Sequence, residues 1–433
     1  MNKKLFIKTM GCQMNVYDSK KMADVLAPLG YAQIETPEGA DLIILNTCHI
    51  REKATEKVFS ELGRLRPYKE KANKKVLIAV AGCVAQAEGD IITERARYVD
   101  MVFGPQTYHT LPQMILEANG NERVINTDFP NESKFDSLPK ETTESDFSAF
   151  LAIQEGCDKF CTYCVVPYTR GAEYSRPYSQ IIDEAKYLVD AGVKDITLLG
   201  QNVNNYSNNI NFAELISKVA EIKGLKRIRY TTSYPKDVNN DLINAHRDIK
   251  KLMPYIHLPV QSGSNRILEL MNRKHTAEFY LETIHKLREA RPDIAISSDF
   301  IVGFPSETDK DFQNTIRLIE KVGYTTTYSF KYSPRPGTPA ANMKGVIAEH
   351  IKDARLKELQ ALLVKQQTEF NKKFLGKTVE VLIDRKGQKN GQVMGKSPYM
   401  QSVYTEGSTN LLGKVVAIRI TNTSQNSLSG LVV

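Results

Sequence analysis

Gly156-Cys157-Asp158-Lys159-Phe160-Cys161-Thr162-Tyr163-Cys164 sets three thiols in a C-x3-C-x2-C pattern, with an aromatic residue just before the last. Three thiolates this close cannot complete a four-thiolate tetrahedral zinc site without a distant fourth ligand. They can hold three irons of a 4Fe–4S cluster and leave the fourth iron open. A structural zinc knuckle is the alternative reading of such a loop.

The loop directly follows a candidate strand, Phe150–Gln154, and that position decides the fold. Further candidate strands follow at Asp195–Leu199, Arg227–Thr231, Tyr255–Pro259, Ala295–Val302 and Thr326–Lys331, with helical stretches between them. Six such units over 149–345 imply a parallel sheet curled into an incomplete (β/α)6 barrel. An eight-unit barrel needs more chain. In sheets of this kind functional residues stand just after the strands. Gln201, Ser233, Gln261 and Gly303 all do, as does the cysteine loop. Such residues also serve simply as helix caps.

Upstream, the other three of the six cysteines repeat one setting. Cys12, Cys48 and Cys83 each stand just past an apolar run: Leu5-Phe6-Ile7, Leu42-Ile43-Ile44-Leu45 and Val76-Leu77-Ile78-Ala79-Val80. Apolar runs alternating with helical patterns predict an N-terminal parallel α/β domain over 1–118. The three thiols then meet at the carboxyl edge of one sheet, where sites form. Three unrelated buried cysteines are the alternative. Helices are expected from Asp18-Ser19 to Gly30, and from about Arg51 to a stop at Pro67. Residues 119–148 are rich in Asn, Asp, Glu, Ser, Thr and Pro and read as a linker or loop.

Downstream, a connecting helix over about 346–374 presents Ile351, Leu356, Leu359, Leu363, Phe370 and Phe374 as its buried side. The tail alternates in strand fashion, with glycines at its turns, and predicts a small β-barrel over 375–433. Residues 371–433 hold nine Lys or Arg against three acids, most of the chain's net charge of +8. A compact basic module suits a polyanion, nucleic acid first. Tyr399 and Tyr404 are candidates to stack on bases, or ordinary barrel packing.

The composition is that of a globular chain, and no apolar stretch is long enough to span a membrane. The first residues do not read as a signal peptide, and the expected location is cytoplasmic. In that setting six cysteines point to metal or redox use rather than disulfides. No phosphate-binding glycine motif opens a helix, so ATP or NAD use is not indicated. The seven histidines form no metal-type spacing, and His257 reads as a core residue.

The cysteine loop, with Tyr163 before its last thiol, resembles that of radical-SAM enzymes, which use S-adenosylmethionine (SAM). The order of three-cysteine domain, radical-SAM domain and small basic barrel resembles the radical-SAM methylthiotransferases over nearly the whole chain. Gly11-Cys12-Gln13-Met14-Asn15-Val16-Tyr17-Asp18-Ser19 and Asn46-Thr47-Cys48-His49-Ile50-Arg51-Glu52-Lys53-Ala54 look most like the tRNA-2-methylthio-N6-dimethylallyladenosine synthase branch. His49 stands where that pattern more often has Ser. Gln-Met-Asn after the first cysteine separates the chain from relatives with Lys-Val-Asn, which act on threonylcarbamoyladenosine. It also differs from those with Pro-Lys-Asn, which act on a ribosomal-protein aspartate.

The resemblance implies a transferase that methylthiolates C2 of N6-isopentenyladenosine beside the anticodon. It implies two 4Fe–4S clusters, one on Cys157, Cys161 and Cys164 for radical generation, the other on Cys12, Cys48 and Cys83 as sulfur carrier. Tyr163, Gln201, Gln261, Ile301 and Gly303 become candidate SAM contacts, and Arg170 and Arg176 lie near enough in sequence to touch SAM or substrate. The tail corresponds to an RNA-binding TRAM domain. The expected partners are tRNA and an electron donor such as flavodoxin or ferredoxin, with no membrane, for a monomer. A methylthiotransferase for another target, and a non-enzymatic iron–sulfur RNA-binding or electron-transfer protein, are the competing readings. The open fourth iron argues against the last, since electron-transfer clusters usually take four thiolates.

Overall fold

The computed structural model describes residues 3–49, 54–130, 132–139 and 146–433. It divides into two units, and the first comprises Met1–Glu144, Glu155–Asp158 and Cys164–Arg176. Its centre is a six-stranded sheet: β1 (Lys3–Thr9), β2 (Tyr31–Gln33), β3 (Leu42–Thr47), β4 (Leu77–Gly82), β5 (Met101–Phe103) and β6 (Val124–Asn126). The strands lie in the order β2-β1-β3-β4-β5-β6 and every pairing is parallel.

β3 and β4 are buried throughout, because helices cover both faces. The two-residue period sends Leu42, Ile44, Leu77 and Ala79 into one core with Met22 and Leu26 of the first helix, Gln13–Leu26. Ile43, Leu45, Ile78 and Val80 enter the other core, with Val58 and Leu62 of Ala54–Glu70. A sheet buried on both sides reads as continuous apolar runs, as these do.

Three local expectations change. The first helix begins at Gln13, not at Asp18, so Cys12 is its N-cap. The second does not stop at Pro67: Ala54–Glu70 runs through it, and Lys71 N–H still donates to Pro67 O (3.0 Å). A proline removes one backbone donor and crowds the carbonyl four residues back. That residue is Gly63, and the helix ends one turn later. The expected start of this helix at Arg51 lies outside the described residues. Within 119–148, Val124–Asn126 joins the sheet as its edge strand.

The second unit comprises Ser145–Gln154, Lys159–Tyr163 and Pro177–Val433. Six parallel strands form two three-stranded halves. Ser148–Ala152, Asp195–Leu199 and Arg227–Thr231 make one, and Tyr255–His257, Ala295–Val302 and Thr326–Lys331 the other. A parallel bridge between Ile228 and Leu252 joins them. Helices Tyr178–Asp190, Phe212–Ala220, Asn240–Asp248, Ala277–Ala290 and Asp309–Val322 pack their apolar sides on this curled sheet around one large core. This is the incomplete barrel, its first strand two residues earlier than expected.

The long helix Glu349–Lys372 buries Leu359 and Leu363, but also Lys352 and Arg355, and it leaves Ile351 exposed. Its first turns dock through ions rather than apolar contact: Arg355 pairs with Glu307 (2.8 Å) and Asp309 (2.6 Å). The tail is a closed five-stranded barrel filled by Val379, Val381, Ile383, Val393, Val403, Ile418, Ile420 and Leu428. Two buried arginines fasten it to the strand Arg227–Thr231. Arg227 donates to Lys396 O (2.6 Å) and Glu380 O (2.9 Å), and Arg229 to Ser397 O (2.8 Å) and Pro398 O (2.9 Å).

Candidate functional site

Cys12, Cys48 and Cys83 stand at the carboxyl ends of β1, β3 and β4, three neighbouring strands. Gly11 has φ +112°, and a Cβ there would lie 2.1 Å from Cys48 Cβ, so a side chain at 11 would push the two cysteine turns apart. Asn15 ties the same turns together. Its Nδ2 donates to Met10 O (2.9 Å) and Thr47 O (2.7 Å), and the Cys12 thiol reaches its Oδ1 (3.6 Å). Thr47 Oγ1 bonds Ala81 O (2.6 Å), which links the turn carrying Cys48 to the one carrying Cys83.

A hydrogen bond from Cys48 lowers the Cys12 thiol to about 6 against the opposing effect of burial, with Arg170 and Asn15 helping. Its place at a helix N-terminus acts in the same direction. Burial pushes Cys83 up, and Arg170 opposes that.

Arg170 and Arg176 belong to this first unit. Arg170 is buried and bonds Asp18 (2.6 Å), Asn15 (3.2 Å) and Glu155. Lys134 completes the network through Glu155 (2.7 Å) and Pro105 O (2.8 Å). Arg176 lies over the Phe135 ring (4.4 Å). Spacing does not single out Asn15, Asp18, Lys134 or Glu155. The available signal is three polar residues placed beside a cysteine turn: Asn15 and Asp18 in the turns after Cys12, and Glu155 just before Cys157.

The C-x3-C-x2-C loop contributes to both units: Cys157 and Cys164 belong to the first, Cys161 to the second. In the first unit Gly156 has φ +76°, and a Cβ there would lie 1.9 Å from Ala172 O. The next residue, Cys157, donates its N–H to Gly171 O (3.3 Å). In the second unit, Thr162 is clamped by Met271 O (3.1 Å) and Leu270 O (2.9 Å), and Asn272 donates to Phe160 O (2.9 Å). Arg273 Nη1 stands 3.6 Å from Cys161 Sγ, its Nη2 bonds Pro259 O, and its guanidinium lies over the Tyr234 ring (4.4 Å). Burial works against the charge on Arg273, but Tyr163, Cys161 and Tyr234 hold its pKa above the ordinary value.

Tyr163 and Ile301 pack on the same small cluster, with Ile267, Met271, Phe304 and Tyr332. Gln261 is buried in the left-handed region (φ +77°) and ties to the neighbouring strand by donating to Asp299 O and accepting from Ile301 N–H, both 3.0 Å. Gly303 N–H donates to Glu307 (2.7 Å) and Val302 O accepts from Tyr332 N–H (2.8 Å), so these backbone groups are engaged within the protein. Gln201 and Asn202 N–H both donate to Gln154 Oε1 (2.9 and 3.1 Å), which shapes the turn after the second strand. His257 bonds Ser297 (2.9 Å), in keeping with a core role.

All six cysteines are free thiols. Among the described residues no three His, Cys, Asp or Glu side chains surround one point closely enough to hold a single metal ion. A cluster asks for something else, since each thiolate holds its own iron. Cys12, Cys48 and Cys83, on three turns that Asn15 and Thr47 tie together, fit that demand.

In the tail, Tyr399 is occupied: it packs on Phe370 (6.0 Å) and Phe374 (5.2 Å) and bonds Asp293 (3.1 Å). Tyr404 is half-buried on its strand. Lys372, Lys373, Lys377, Arg385, Lys386, Lys389, Lys414 and Arg419 are exposed, and Lys396 is half-buried.

Three family models match the chain: Uncharacterized protein family UPF0004 over residues 4–104, the Radical SAM superfamily over 151–319, and the TRAM domain over 372–433. The fold is also that of solved radical SAM proteins. It is similar to the radical S-adenosylmethionine methyltransferase TsrM from Kitasatospora setae (TM-score 0.60, 12% identity, 79% of this chain and 75% of that one). It is similar as well to the cobalamin-dependent S-adenosylmethionine radical enzyme OxsB (TM-score 0.56, 14% identity, 83% and 56%). A protein from Jannaschia sp. (strain CCS1) is 55% identical over 99% of this chain and 94% of its own length. Another, from Agrobacterium fabrum (strain C58), is 56% identical over 99% and 97%. Both carry the name tRNA-2-methylthio-N(6)-dimethylallyladenosine synthase. The chain belongs to that family.

Proposed function

We propose that this chain inserts a methylthio group at C2 of N6-isopentenyladenosine, next to the anticodon of tRNA. The observation that carries the reading is the pair of three-cysteine sites in a chain of this family. Cys157, Cys161 and Cys164 hold one 4Fe–4S cluster, and Cys12, Cys48 and Cys83 hold a second. Three ligands at each leave one iron open. When bound, the clusters and SAM supply one-electron chemistry and sulfur for attack on an unreactive aromatic C–H.

The chain's own part is to hold, orient and exclude water. Tyr163, Gln201, Gln261, Ile301 and Gly303 line the SAM position beside the loop cluster. The low Cys12 thiol is ready to bind iron as thiolate at neutral pH. The exposed basic residues of the tail grip tRNA phosphates while chemistry proceeds elsewhere. An electron donor such as flavodoxin or ferredoxin serves the first cluster, and the protein works as a monomer in the cytoplasm, where thiols stay reduced. Among the described residues no helix is long and apolar enough to cross a membrane.

Nucleoside mass spectrometry of tRNA, from cells with and without this protein, tests the reading. The methylthio group is expected on isopentenyladenosine only where the protein is present. Unmodified isopentenyladenosine in both would overturn it, and a gain on another nucleoside would move the substrate.

A further inference from the structure

We infer that Arg170 is the fixed counter-charge of the N-terminal three-thiol site, a positioning residue carried to it by the segment that follows the cysteine loop. The inference rests on reading Cys12, Cys48 and Cys83 as a cluster site.

The geometry comes first. Arg170 lies six residues beyond Cys164, yet its side chain is only 3% exposed and belongs with β1, β3 and β4. One end of the guanidinium bonds Asp18 and the same Asn15 that ties the Cys12 and Cys48 turns; the other bonds Glu155. Its charge also acts on the thiols of Cys83 and Cys12. One cation thus faces two of the three thiols and, through Asn15, the turns of Cys12 and Cys48.

The charges agree. Arg170 and Lys134 face Asp18 and Glu155, two cations against two carboxylates, all buried. Without thiolates the network is balanced. Three thiolates bring negative charge into a place where water cannot screen it, and a buried charge without a partner is costly. Arg170 is the cation whose charge acts on Cys12 and Cys83, and it stays charged at any working pH. A fixed cation beside the ligand sulfurs favours the reduced cluster, because charge near the sulfurs helps set its potential. Lysine could carry the charge but not the planar fork that spans Asp18, Asn15 and Glu155.

The test uses full-length protein with Cys157, Cys161 and Cys164 all replaced by Ala, so that only the N-terminal site loads. Iron and sulfide are counted, reduction is followed by electron paramagnetic resonance, and circular dichroism monitors the fold. Asp18→Asn leaves the guanidinium less neutralised and is expected to raise the reduced fraction about tenfold at fixed potential, about 59 mV for one electron. Adding Arg170→Gln to Asp18→Asn removes one cation and one carboxylate together. It is expected to reverse that gain or to release the iron with the dichroism unchanged. Arg170→Lys on its own is expected to fall between the parent and a protein lacking the charge. Equal iron and equal potential in the parent and in Asp18→Asn would overturn the inference, even if the double variant failed to fold. A parent that binds no iron would overturn the cluster reading, and the inference with it.

Discussion

Read as the proposed cluster sites, the two cysteine trios meet one chemical demand by opposite routes. Cys157, Cys161 and Cys164 lie close together in the sequence, within one loop. Cys12, Cys48 and Cys83 come from three strands, and only the order β1-β3-β4 brings them together. Each trio nevertheless has a buried arginine beside it: Arg273, with Nη1 3.6 Å from Cys161 Sγ, and Arg170, which bonds the Asn15 that ties the Cys12 and Cys48 turns. Each also has a glycine with positive φ directly before a cysteine, at a point where a Cβ would collide with neighbouring atoms. A three-thiolate site therefore needs more than three thiols. It needs backbone that lets them approach and a cation that tolerates their charge.

The largest expected effect on the trios themselves comes from those glycines. Gly11→Ala drives a Cβ against Cys48 Cβ and strains a left-handed residue, about 1–3 kcal/mol locally. It should cost the N-terminal site its iron and leave the loop site loaded. Gly156→Ala, facing Ala172 O, should do the reverse. Iron and sulfide counts in each trio's Cys→Ala background measure this; equal losses at both sites from either change would break the comparison.

Arg229→Ala is a control for mere destabilisation. It strands the buried Asp195 carboxylate and two tail carbonyls, a loss of about 3–5 kcal/mol. Thermal melting should fall and the tail should become the first site of proteolysis, with iron at both trios unchanged. Loss of iron would tie the trios to global stability rather than to their own surroundings.

The smallest effect concerns the tail. Lys386→Glu and Lys389→Glu change exposed residues. Each should flatten the salt dependence of tRNA binding by about 0.7–0.9 in log–log slope for each phosphate that the lysine no longer neutralises. Binding at several salt concentrations reads this, and both trios should keep their iron. An unchanged slope would leave the tail as a structural cap.

Much of this is legible in the sequence. The barrel strands Asp195–Leu199, Arg227–Thr231, Ala295–Val302 and Thr326–Lys331 fall where the strand–helix repeat of the sequence places them, because each βα unit needs one strand and one covering helix. The helix through Pro67 is not legible, because proline usually ends a helix and nothing local marks this one as an exception. Nor is the buried Arg355, because its partners, Glu307 and Asp309, come from a distant turn. The same holds for Arg170, Asp18, Glu155 and Lys134. Ionic networks leave no period in a sequence, and nothing local marks a charged residue as buried.

The division of labour between the trios is tested most directly by measuring 5′-deoxyadenosine and methylthiolated adenosine side by side in two reconstituted variants. Cys157→Ala should form neither. Cys48→Ala should lose about one cluster of iron and still form 5′-deoxyadenosine when given dithionite and SAM, yet place no methylthio group on tRNA. Full methylthiolation by Cys48→Ala would contradict the sulfur-carrying role of the N-terminal site.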